Sequence, residues 1–213
     1  MVSRRRMKRI GMIGALIISF LAAPASASTL AGLWHMDETA GAVAHDSSGF
    51  GNDGKLEHVT FASGAYAFNG TSSRVLIGND SNLNPGDADI TISVDVNFDS
   101  IHIHDYDLVR KGGSGALYKI EISSAGKARC QFHGSKNDSG IVVGPDLSDG
   151  QWHTITCRKT ANSISGTVGS ATATQHAVVG SISNGVALSL GGKSSGTQDL
   201  YKGLMKEVRI AMG

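Results

Sequence analysis

Cysteine is scarce in this chain. Only two occur in 213 residues, and no histidine spacing beside them suits a zinc site. Three prolines stand against 28 glycines. Those glycines are spread along the chain at turn positions, which excludes a disordered low-complexity tract. No apolar run beyond the first 27 residues reaches the ~20 residues of a bilayer-spanning helix, so no membrane span is expected there. A helical hydrophobic period is almost absent, and no βαβ unit can be traced, which excludes a doubly wound nucleotide-binding fold. No serine sits in a nucleophile-elbow context with assignable His and Asp partners.

Acidic residues are missing from the N-terminal segment, MVSRRRMKRIGMIGALIISFLAAPASAS. Its basic head (Arg4, Arg5, Arg6, Lys8, Arg9), the apolar run Gly11 to Ala23 and the site Ala25-Ser26-Ala27 read as a secretory signal peptide, with an uncleaved membrane anchor as the alternative. Cleavage after Ala27 leaves residues 28–213 and removes five of the 19 Lys+Arg but none of the 18 Asp+Glu, turning a net charge of +1 into −4. An acidic mature protein lacks the basic face that neutralises phosphates, so nucleic acid is not an expected partner. The expected location is extracellular. In an exported chain an even pair of cysteines reads as a disulfide, and with two the pairing can only be Cys130–Cys157. Two buried free thiols are the alternative.

Alternation of period two dominates what is present. In DITISVDVNF, Ile90, Ile92, Val94, Val96 and Phe98 face one way, and Thr91, Ser93, Asp95 and Asn97 the other. KARCQFH puts Ala128, Cys130 and Phe132 on one face, and Ile155 and Cys157 share a face in WHTITCRK. Similar runs are GLWHMD, AYAFNG, RVLIG, YDLVRK, ALYKIEIS, SISGTVG, VALSLGG and GLMKEVRIA. Turn signals such as N-P-G-D, K-G-G-S-G and S-D-G separate them. Many short strands at even spacing predict one all-β domain, a two-sheet antiparallel sandwich over residues 28–213. Its first and last strands, Leu33–Met36 and Val208–Ile210, are expected to pair.

DSSGFGNDG, Asp46 to Gly54, contains a literal G-x-G-x-x-G. A dinucleotide turn needs a buried strand before it and a helix after it. Here an extended run, KLEHVTF, follows, so the glycines serve a tight surface loop. Asp46, Asn52 and Asp53 place oxygens on that loop. These suit calcium, or else cap their own backbone as turn residues.

GLWHMDETAGAVAHDSSGFGNDGKL resembles the start of laminin-G-like domains of the concanavalin A-like lectin/glucanase superfamily, in bacterial secreted form. AYAFNGTSSRVLIGNDSNLNPGDADITISVDVNF, DLVRKGGSGALYKIEI, DGQWHTITCRKT and LSLGGKSSGTQDLYKGLMKEVRI resemble the later blocks in the same order. The resemblance implies a jelly roll, mostly non-catalytic binding of carbohydrate or protein, and in many members one structural calcium. Carried over, the calcium candidates are Asp37, Asp53 and Glu207. Lys206 stands where the family more usually has Asp, which puts a cation beside that site. The cysteine pair resembles a family subset in which two core strands are bridged. No organic cofactor is implied.

Retaining glycoside hydrolysis needs two carboxyls ~5–5.5 Å apart. The superfamily's enzymes carry them at alternate positions of one strand, and no such run occurs here. Asp95 with Asp99 and a lone Glu121 come nearest. His102 and His104 share a strand parity that suits a transition metal, with an exposed polar edge as the alternative. Trp34 and Trp152 invite sugar stacking, yet both sit within strand runs and are expected in the core. Asp95, Asn97, Arg129 and Gln131 are the concave-face candidates for ligand contact. The expected function is a secreted, non-catalytic binding module for carbohydrate or an extracellular protein. A glycan-active hydrolase or lyase, or a structural envelope protein, are the alternatives.

Overall fold

A computed structural model describes residues 27–100, 104–196 and 198–213. The predicted signal segment, apart from Ala27, and His102 lie outside the described residues. The strands in chain order are β1 (Thr29–Trp34), β2 (Val43–Ala44), β3 (Gly54–Glu57), β4 (Thr60–Ala62), β5 (Ala65–Asn69), β6 (Arg74–Ile77), β7 (Ile90–Asn97) and β8 (Tyr106–Gly112). They continue as β9 (Leu117–Ile122), β10 (Ala128–His133), β11 (Asp138–Val143), β12 (His153–Lys159), β13 (Ser163–Val168), β14 (Ala171–His176), β15 (Leu188–Leu190) and β16 (Lys202–Met212). Among the described residues a single 3-10 turn spans Ser81–Leu83. No helix among the described residues is long and apolar enough to cross a membrane.

These strands form two eight-stranded antiparallel sheets. The first runs β14-β13-β12-β7-β16-β5-β4, with β1 also on β16; the second runs β11-β10-β9-β8-β15-β6-β3-β2. Strand β7 shows why the sequence folds this way. Its apolar residues are all buried and its polar ones half-buried, because successive side chains point to opposite faces of a sheet. Ile90, Ile92, Val94 and Val96 form one core with Tyr118, Ile120 and Ile122 of the second sheet. The Cys130–Cys157 bridge joins β10 of the second sheet to β12 of the first, across a Cα–Cα distance of 5.5 Å.

The terminal strands pair as expected: Leu33 lies opposite Arg209 and Trp34 opposite Val208. The first strand ends at Trp34, short of the predicted Met36, because Met36 takes a left-handed φ of 58° that breaks the pleat. Strands β11 and β14 lie at sheet edges and carry no buried apolar stripe: β14 is mostly exposed, and β11 is mostly half-buried with only Val143 fully covered.

Two lysines point into the core layer. Lys111 lies opposite Tyr118 and Leu188, and its ammonium donates to Asn79 Oδ1 at 2.7 Å and the Val186 carbonyl at 2.9 Å. Lys159 donates to the Asp87 and Ala88 carbonyls. Together they tie the 79–89 loop over one end of the sandwich. Burial pushes the Lys111 amine down to about 8. In the unfolded chain it holds its proton to about pH 10.4. Over that window the unfolded state binds more protons, so this lysine makes stability rise with pH. The stability of the parent minus that of Lys111→Met should therefore grow by about 1–2 kcal/mol between pH 8 and 10. Urea unfolding at the two pH values checks this.

Candidate functional site

The glycine loop is a structural clasp. One Asp46 oxygen accepts the N–H groups of Leu33 and Ser48, at 3.0 and 2.9 Å. The other accepts the Ser48 hydroxyl at 2.7 Å and the Asn52 N–H at 2.9 Å. Burial opposes ionisation, but these donors hold the Asp46 carboxyl below its usual range. Asn52, itself buried, donates to the Ala31 carbonyl, and its own carbonyl accepts the Trp34 indole N–H at 2.9 Å. The loop thus pins β1 to the core. Gly49 and Gly51 take φ of 92° and 75°, a region that favours glycine.

The residues carried over as calcium ligands are not brought together as an open cage. One Asp53 oxygen accepts the Asp46 N–H at 2.8 Å. Both Glu207 oxygens face His35 Nδ1, at 3.0 and 3.1 Å, and that hydrogen bond holds the imidazole above its usual range. Asp37 is exposed. Among the described residues no three His, Cys, Asp or Glu side chains are grouped to hold a metal. The donor set does not fit the six to eight oxygens that calcium takes: one Asp53 oxygen is held by a backbone N–H, both Glu207 oxygens face His35, and Asp37 is not grouped with them.

The four concave-face candidates also separate. Asp95 and Asn97 lie on β7 of the first sheet, Arg129 and Gln131 on β10 of the second. Asp95 accepts the Thr154 hydroxyl at 2.6 Å, and Asn97 donates to the Gly150 carbonyl at 2.8 Å. Trp34 is buried as expected, but Trp152 is 40% exposed. It lies two residues before Thr154, whose cross-strand partner is the outward Asp95. This parity turns the indole away from the core residues Ile155 and Cys157. Lys206 Nζ stands over its ring, 4.5 Å from the centroid.

The densest chemistry lies on the outer face of β8, β9 and β10. Asp107 and Glu121 are cross-strand partners, and so are Arg110 and Lys119, and Glu121 and Arg129. Like charges set directly opposite repel; diagonal ion pairs resolve this. Lys119 Nζ bridges Asp107, at 3.1 Å, and Glu121. Arg110 reaches the second Asp107 oxygen at 2.9 Å, and Arg129 the second Glu121 oxygen at 3.1 Å. The Asp107 and Glu121 side chains are almost fully buried, while Arg129 stays 43% exposed. Asp105, just before β8, hydrogen-bonds Glu121. Burial pushes the Glu121 carboxyl up against the pull of Lys119. For Asp105 burial works the same way, but the hydrogen bond to Glu121 and the field of Lys119 hold it below its usual range. His104, Asp105, Glu121, Ser123, Ser124 and Arg129 line an open pocket of about 290 Å³ above this network.

Glu121 is therefore not alone. Its neighbours come from β8 and from the residues before it, which no single-strand pattern reveals. Arg129 is the sequence-predicted contact that does line this pocket, and Gln131 lies beside it on β10, nearly buried.

A laminin-G model of the Concanavalin A-like lectin/glucanases superfamily matches residues 69–212. Among curated proteins none matches the chain. Similar solved structures include the binding domain of Paraclostridial Mosquitocidal Protein 1, at 15% identity and a TM-score of 0.68, covering 86% of this chain and 48% of that one. The receptor binding domain of botulinum neurotoxin D aligns at 10% identity with a TM-score of 0.67, covering 85% and 48%. Trypanosoma rangeli sialidase in complex with the inhibitor DANA aligns at 15% identity with a TM-score of 0.62, covering 84% and 30%. At these identities the likeness carries the fold alone, and the chain spans about half the length of the toxin domains. With the two-sheet sandwich and the family match in hand, the chain belongs to the concanavalin A-like lectin/glucanase superfamily.

Proposed function

We propose that the protein is a secreted, non-catalytic binding module for an extracellular glycan or protein, with its ligand on the outer face of β8–β10. One observation carries this reading. The pocket there is open and polar, yet Glu121 in its floor and Asp107 beneath are each held by two protein cations. Carboxylates so committed rigidify a recognition surface, whereas a glycosidase needs a free pair with room for a sugar between them. Arg129 and the Ser123 and Ser124 hydroxyls supply donors at the rim. The mature protein should be retained on an immobilised polysaccharide or extracellular protein, and Arg129→Ala should weaken retention about tenfold, the loss of one charge-assisted hydrogen bond. Retention that Arg129→Ala leaves unchanged contradicts this placement.

The Asp105–Glu121 pair favours a second reading, a glycan-active hydrolase or lyase. Two carboxyls in one pocket, one held up and one down, is the pattern of acid and base partners. Glu121 is already held by Lys119 and Arg129, which is why binding comes first. Release of reducing ends from a polysaccharide, abolished by Glu121→Gln, would establish the hydrolase.

A further inference from the structure

We propose that the outer face of the other sheet carries a second site, for a neutral oligosaccharide stacked on Trp152. This goes beyond the pocket on β8–β10 and rests on the reading of the chain as a glycan-binding module. Trp152 is one of two tryptophans and the exposed one: Trp34 is fully buried. The part of the Trp152 indole that stays exposed beside the Lys206 ammonium invites an apolar partner, and a pyranose offers one in its axial C–H groups while its hydroxyls seek polar neighbours.

Those neighbours are present. Asp95 and Thr154, hydrogen-bonded to each other at 2.6 Å, lie beside the indole on the same face. Lys206 is the cross-strand partner of Asp95 on the other side and brings its ammonium to the ring. Asn97 donates to the carbonyl of Gly150, two residues before Trp152, and Asn97 and Gly150 both line a shallow cleft of about 360 Å³ nearby. Asn97, Asp99, Gly150 and Lys202 line that cleft, with Phe98 and Leu204 as its apolar part. Two ammonium groups, Lys202 and Lys206, stand among the carboxylates Asp95, Asp99 and Asp149. A surface of this composition matches hydroxyl groups and gives an anionic sugar no net attraction.

The two tryptophans make the site directly readable. Acrylamide quenches an exposed indole and leaves a buried one largely untouched, so quenching of the purified protein reports Trp152. Cellohexaose, xylohexaose and chitohexaose are the neutral probes, with hexagalacturonate as the anionic comparison. The expected result is that a neutral hexasaccharide lowers the quenching constant at least twofold. Trp152→Ala, with an unchanged thermal midpoint, should weaken binding of the same sugar at least tenfold. Trp152→Phe should keep part of it. Protection by none of the neutral probes, or by hexagalacturonate alone, overturns the proposal. Binding that Trp152→Ala leaves intact and Arg129→Ala removes also overturns it, and in that case the module reading stands on the β8–β10 pocket.

Discussion

Replacing both bridge cysteines, Cys130→Ala with Cys157→Ala, lowers the thermal midpoint by about 7–14 °C. The bridge closes a sequence separation of 27 residues, for which the chain-entropy argument gives about 3.5 kcal/mol. For a domain of 150–250 residues each kcal/mol moves the midpoint by about 2–4 °C. Both cysteines are fully buried, so the variant also loses packing between the sheets. Gly166 shows how tight that space is: a Cβ there would stand 2.9 Å from Cys130 Sγ and 2.8 Å from Val143. Calorimetry of parent and double variant measures the effect. A midpoint shift below about 2 °C would mean that the bridge is absent or that the unfolded chain is already constrained.

The second large effect belongs to Lys119. Lys119→Met removes the ammonium shared by Asp107 and Glu121, whose side chains are 0% and 1% exposed. Breaking a buried ion pair by removing one partner costs about 3–5 kcal/mol, because a charge is left uncompensated. The lower end, about 3 kcal/mol, is expected here, since Arg110 and Arg129 each still reach one of the two carboxylates. The double variant Lys119→Met with Glu121→Gln should recover part of the loss by removing one orphaned charge. Urea unfolding of parent, single and double variants gives the cycle. A double variant less stable than the single one would show that Glu121 is held by its hydrogen bonds rather than by charge.

Sequence made the sandwich legible where one face is buried and the other wet. Strand β7 displays its alternation in eight consecutive residues, and the sequences of β10 and β12 alternate over shorter stretches, although Gln131 of β10 is nearly buried. Edge strands such as β14, ATATQH, bury nothing that would mark them. The candidate site was harder to read for a different reason. In β9 all six residues are buried, the outward Leu117, Lys119 and Glu121 among them, so the polar residues there look like interruptions of a core strand. Only the pairing of β9 with β8 and β10 sets Glu121 against Asp107 and Arg129, and register between strands is not written in either strand alone. Trp152 is the opposite case. Its parity with Thr154 and Thr156, against Ile155 and Cys157, places it on the polar face in the sequence itself; hydrophobicity suggested the core where alternation pointed outward. The Asp46 loop resolves toward turn chemistry because backbone N–H groups, which sequence does not display, take its oxygens.

Binding without turnover is the central claim, and incubating the purified protein with the polysaccharide that retains it tests that claim most directly, with bound protein and released reducing ends followed together. Saturable retention, weakened by Arg129→Ala and unaccompanied by product over many hours, is the predicted result. Product that accumulates with the parent and disappears with Glu121→Gln would contradict it and make the Asp105–Glu121 pair a catalytic one.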